Sequence, residues 1–257
     1  MPEHSSLLTF LLSWFKENLD RNLHLVGDSF IGNEPPEWTS FEPIAAAILT
    51  ALLVIVMALM VRAKLQDPEA SVVPDEKLTL RTFFEVFLGY FYDLAKAVMD
   101  EERAKKYFPI IGASALFVFF SNVMAMLPVM PVATSSLNVT LGCALVVFVL
   151  FNVYGIQANG WNYFRHLAGP SPYLAPLIFP IEVISLCVRP VTLSVRLMLN
   201  MSVDHLILII FMGLFPVVAP IPVQFLGIII VVVQTLVFTM LTAIYIALAT
   251  EHEAEEH

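Results

Sequence analysis

Apolar positions run along this chain in long unbroken blocks, and the charges cluster between them. No charged side chain stands between Pro43 and Val61. About 20 apolar residues at 1.5 Å rise cover the roughly 30 Å hydrocarbon core of a bilayer, so this block predicts a membrane-spanning helix over 43–63, with Pro43 tolerated in its first turn. Further blocks predict spans over 108–128, 137–157, 173–216 and 221–250. Backbone at membrane depth has to bond internally, which helices achieve. The expected fold class is all-α: a polytopic integral membrane protein with about five membrane-spanning segments, its single membrane domain covering 42–257.

Two patterns depart from simple spans. Over Lys77 to Met99, Phe83, Phe84, Phe87, Phe91, Leu94 and Val98 recur at helical spacing while Arg81, Glu85, Asp93 and Lys96 take other positions. That is an amphipathic helix lying on the membrane surface. The last two blocks are each about 30 residues or more, too long for an upright crossing at 1.5 Å per residue. They are expected to be strongly tilted, curved or broken, with Pro176, Pro180 and Pro190 as break points in the first of them.

Residues 1–41 form an N-terminal amphipathic segment on the outer side. Its apolar run, Leu7 to Phe15, is preceded by Glu3 and His4 rather than by basic residues, so it reads as uncleaved rather than as a signal peptide. Arg62, Lys64, Lys77, Arg81, Lys96, Arg103, Lys105 and Lys106 crowd one connection, while 128–136 and 215–223 hold no Lys or Arg. The basic connection is therefore cytoplasmic, which puts the N-terminus outside and the Arg165 loop and C-terminus inside.

Composition agrees with a bilayer environment: 58% of residues are hydrophobic and 14% charged, with mean hydropathy +0.81, far more apolar than a soluble domain. The net charge of -9 owes much to solvated ends that include Glu251, Glu253, Glu255 and Glu256 and gives no footing for nucleic acid. Cys143 and Cys187 sit apart in apolar stretches, which suits neither a disulfide framework nor a metal site. Nothing matches a phosphate-binding loop or a nucleophile elbow, and no cofactor is indicated.

What chemistry remains is that of charge and proton movement. Arg196, between Val195 and Leu197 in apolar sequence, stays protonated at a cost of a few kcal/mol in hydrocarbon and needs a partner, water or a protein interior. It either locks two helices or meets a moving charge. At 100° per residue, Glu182, Arg189, Arg196 and Asn200 share a narrow sector, with Asp204 slightly further round. Arg189 is expected to snorkel to the inner surface. Asp204 and His205 form either a proton relay or an interfacial hydrogen-bonded pair. Gln234, Asn122 and Asn138 have the alternative role of bonding helices together.

The run Pro190-Val-Thr-Leu-Ser-Val-Arg196-Leu-Met-Leu-Asn200-Met resembles the signature of subunit a of F-type ATP synthases, P-x-S-L-x-x-R-L-x-x-N-x. Glu182, Gln234, Thr242-Ala-Ile-Tyr245, Asn122 with Leu127-Pro128, and Asn138-Val-Thr140 extend the similarity to most of the chain after about residue 40. The resemblance implies a non-catalytic, ion-translocating stator subunit in a bacterial inner membrane, with the proton as the expected ion. Its partners would be the c-subunit ring, the subunit b peripheral stalk, the remainder of the synthase and the lipid bilayer. Arg196 would be the essential arginine facing the ring. Asn200, Asp204, His205, Gln234, Asn122 and Asn138 would belong to an outer half-channel and Glu182 to an inner one, and the over-long final blocks would form a tilted helical hairpin.

The chain departs from the family's pattern at three positions. Ala125 and Gly227 stand where many members carry polar or acidic groups, and Asp204 where members usually have glycine. Asp204 is therefore expected to replace the missing acid. Two rival readings remain: a self-contained secondary transporter whose Arg196 binds an anionic substrate, and an intramembrane enzyme using Asp204 and His205. The chain shows no internal repeat for the first and no nucleophile or second metal-ligand motif for the second.

Overall fold

A computed structural model describes residues 12–14, 16–21, 41–64, 79–126, 133–160, 175–214 and 220–250. Among them every regular element is helical: α1 (Lys16–Arg21), α2 (Glu42–Lys64), α3 (Leu80–Val98), α4 (Glu101–Ala125), a 3₁₀ turn (Ala133–Ser135), α5 (Leu137–Asn159), α6 (Ala175–Leu214) and α7 (Pro220–Thr250). Five of them, α2 and α4 to α7, are long and apolar enough to cross a membrane. Most of the N-terminal segment, the Arg165 loop and the C-terminal tail lie outside the described residues.

α3 is the expected amphipathic helix. It begins at an N-cap, where the Thr79 hydroxyl accepts from the Thr82 amide at 3.4 Å. Its inner face carries Phe84, Phe91 and Ala95, and also Arg81, which the pattern assigns to the polar side. Arg81 tolerates burial because its stem is apolar while Nε donates to Glu85 Oε1 at 2.7 Å, one turn along. Lys96 reaches Glu101 across the turn into α4 at 3.0 Å, and that carboxylate raises the amine above its ordinary pKa.

α4 starts at Glu101, earlier than the apolar block at 108. Its first turns are too charged for hydrocarbon yet well suited to a helix start, with Glu101 and Glu102 at the positive end of the helix dipole. Asp100 accepts from the Arg103 guanidinium at 2.7 Å. The helix thus begins in a polar layer and continues past Pro109 into apolar sequence.

α6 has 40 residues and α7 has 31, about 60 and 46 Å at 1.5 Å per residue, so neither fits a roughly 30 Å core upright. The proline break points are a correction: α6 passes through Pro180 and Pro190 without interruption, while the Pro176 side chain lies outside the described set. Serine and threonine hydroxyls within a helix can turn back onto carbonyls three or four residues earlier. Thr192 donates to the Arg189 carbonyl at 2.9 Å and Ser194 to that of Val191 at 2.9 Å. In α7 the buried Thr239, Thr242 and Thr250 hydroxyls likewise turn back onto carbonyls four residues earlier, so they leave no unmet donor toward lipid.

Packing divides the chain into two compact units. The first comprises Met1–Arg62, Leu116–Thr140 and Leu197–Gln234, the second Ala63–Ala115, Leu141–Arg196 and Thr235–His257. In the first, Thr50 of α2 donates to Met124 Sδ of α4 at 3.4 Å, and Gln224 of α7 donates at 2.9 Å to the carbonyl of Met126, just past the end of α4. In the second, ring contacts join the helices: Tyr92 with Phe108 at 5.1 Å, Tyr107 with Tyr154 at 4.8 Å and Phe151 with Tyr245 at 5.9 Å.

Candidate functional site

α6 buries Leu193, Ser194 and Leu197 and turns Arg196 to its exposed side. Among the described residues Arg196 makes no ion pair or hydrogen bond. Its face also bears exposed Leu199 and Val203, so a fixed cation stands in an apolar stripe.

The second unit, whose middle segment ends at Arg196, also contains Glu182 and Arg189. Arg189 does not simply extend to a surface. Its Nη2 lies 3.7 Å from Glu182 Oε1, and its guanidinium lies over the Tyr245 ring at 5.3 Å from the centroid. Arginine side chains on a helix lean toward its N-terminus, which brings Arg189 back to a carboxylate two turns earlier.

The first unit gathers most of the remaining candidates. Asn200 Nδ2 donates to Gln234 Oε1 at 2.5 Å, joining α6 to α7. Gln234 is buried, and among the described residues its Nε2 has no hydrogen-bond partner, as is also true of the buried Ser121 Oγ. A buried unmet polar group of this kind costs about 1–3 kcal/mol unless water or another group reaches it. Asn122, also buried, accepts from Thr134 Oγ1 at 3.2 Å. Asn138 is exposed in the first turn of α5 and is not brought to these groups.

Asp204 lies half-buried on α6, and a Cβ at Gly227 of α7 would come within 3.0 Å of its Oδ2 and 3.4 Å of Met126 Cε. The Asp204 carboxylate thus occupies the space of a side chain at 227. Ala125, next to Met126, is buried. The His205 side chain lies outside the described residues, so the relay is left as an expectation from sequence.

Sequence reasoning does not single out Thr134, Ser121 or Gln224. Each is a common residue whose importance comes from a neighbour distant in the chain or, for Ser121, from burial. The adjacency of Ser121 and Asn122 is the one signal available beforehand. No group of three His, Cys, Asp or Glu side chains forms a metal site among the described residues.

A family profile described as ATP synthase A chain matches residues 44–247. The chain belongs to the ATP synthase subunit a family. It is 55% identical to the ATP synthase subunit a of Sorangium cellulosum over 257 residues, covering 100% of both chains. It is 39% identical to that of Sulfurihydrogenibium sp. over 204 residues, 79% of this chain and 95% of the relative. It is 38% identical to that of Bdellovibrio bacteriovorus over 193 residues, 75% and 84% respectively. As a subunit a, the chain is a multi-pass membrane component of the synthase and not an enzyme by itself.

Proposed function

We propose that this chain carries protons across the bacterial inner membrane beside a rotating c-subunit ring, with Arg196 separating two half-channels. The observation that carries the reading is the exposure of Arg196 on α6 between buried Leu193 and Leu197, which suits a cation presented to a partner. A fixed cation favours the ionised form of a ring carboxylate that passes it and blocks direct leakage. A potential of about 100 mV supplies roughly 2.3 kcal/mol per elementary charge moved, which drives rotation.

The outer half-channel consists of Asn200, Gln234, Asn122, Asp204 and His205, with Asn138 standing apart from them at the outer start of α5, and the inner one includes Glu182. Support for a hydrated outer path comes from the unmet donor of Gln234 and the unmet hydroxyl of Ser121, since buried polar groups are commonly satisfied by ordered water. Asp204 supplies the acid absent from Ala125 and Gly227. Subunit b of the peripheral stalk and the remaining synthase subunits are the other partners. The N-terminus lies outside and the C-terminus in the cytoplasm.

The test is proton-driven ATP synthesis by complexes reconstituted in liposomes. Arg196→Ala is expected to abolish synthesis in a fully assembled complex, and wild-type rates from that complex would overturn the reading.

A further inference from the structure

The contacts around Arg189 belong to a group that the signature motif does not explain. Glu182 and Arg189 form an ion pair along α6, yet at 3.7 Å their closest approach is longer than a direct hydrogen bond. Glu182 alone therefore does not dock the guanidinium. The second hold is the face of Tyr245, 5.3 Å away, within the range in which an aromatic face attracts a cation.

That ring is itself seated. Tyr245 tilts against Phe151 at 5.9 Å, and Phe151 is 1% exposed and meets Phe148 edge-on at 5.3 Å. The order of support runs from the α5 aromatics to Tyr245, from Tyr245 to Arg189, and from Arg189 to Glu182. All five residues lie in the second compact unit.

We propose that Tyr245 is a positioning residue for proton passage at Glu182, acting through the Arg189 guanidinium that its ring holds. This rests on the reading of Glu182 as part of the inner half-channel. The ring face does the work, so the phenol hydroxyl is dispensable. Without the ring, Arg189 is free to leave the carboxylate, and Glu182 is no longer held in one place for the protons that pass it.

The experiment measures proton-driven ATP synthesis by whole reconstituted complexes, normalised to assembled complex on native gels. Tyr245→Leu should lower the rate about fivefold, the factor expected from a cation–π contact, while Tyr245→Phe stays within about twofold of wild type. In a Glu182→Gln background, itself impaired, Tyr245→Leu should add little, because no charged carboxylate is left to hold. If Tyr245→Leu fails to assemble, Arg189→Met, which keeps the stem but not the charge, should show the same loss and the same dependence on Glu182.

Equal damage from Tyr245→Phe and Tyr245→Leu would overturn the proposal, because the hydroxyl would then be the active part. So would a full additional loss in the Glu182→Gln background, or wild-type synthesis by Tyr245→Leu or Arg189→Met. Wild-type synthesis by Glu182→Gln alone would instead remove the half-channel reading of Glu182 and overturn the proposal with it.

Discussion

The carboxylate of Asp204 stands 3.0 Å from where a Cβ on Gly227 would sit, so the two positions share one space across α6 and α7. The acid on one helix is accommodated by the missing side chain on the other. Asp204→Asn keeps the shape and removes the charge, and should strongly lower proton-driven synthesis in a normally assembled complex. Asp204→Asn combined with Ala125→Asp should recover part of the rate. Full synthesis by Asp204→Asn alone would show that the outer path uses other groups.

Gly227→Ala tests the same space from the other side. The clashing atom is the end of a flexible side chain, so the carboxylate can move and the fold should survive. Synthesis should fall in Gly227→Ala, but the same change should matter little once Asp204 has become Gly. Equal effects of Gly227→Ala with and without Asp204 would separate the two residues.

Asn200 and Gln234 should behave as one unit, because their amides bond directly. Interhelical bonds of this type in membranes are worth about 0.6–1.7 kcal/mol. Asn200→Ala, Gln234→Ala and the double variant, compared for thermal stability of the complex and for synthesis, should be clearly non-additive.

Thr134→Val removes the hydroxyl that donates to buried Asn122 while keeping the branched shape. A loss of about 1 kcal/mol in stability is expected, since the Asn122 oxygen loses its partner. Asn122→Leu together with Thr134→Val should be milder than the sum of the single changes.

Sidedness follows from the Lys and Arg distribution. Single cysteines placed at residue 70 and near the C-terminus should react with a membrane-impermeant maleimide only from the cytoplasmic side, and those at 30 and 219 only from outside. Reaction of a cysteine at 70 from outside would invert the whole orientation.

The spans were legible in the sequence because each is a long apolar block, and hydrocarbon leaves backbone no option but internal bonding. The start of α4 was not, because charged residues 101–106 disqualify a bilayer core without disqualifying a helix. Arg81 departs from the pattern for a related reason: hydrophobic spacing treats a charge as polar along its whole length, whereas its stem is apolar. Arg196 and Asn200 could be picked out by their setting and motif. Thr134 on Asn122 and Tyr245 on Arg189 could not, since each depends on which helices meet, and periodicity does not encode that.

The charges of α6 also bear on how the chain enters the membrane during synthesis. This helix carries Glu182, Arg189, Arg196 and Asp204, whereas α7 has no charged residue at all. The insertion machinery judges segments by apolarity, and each charge near a helix centre weighs against entry by about 2.5–3.5 kcal/mol. α6 is thus a poor insertion substrate when it leaves the ribosome. It enters hydrocarbon at a higher cost than α7, whose whole length is uncharged.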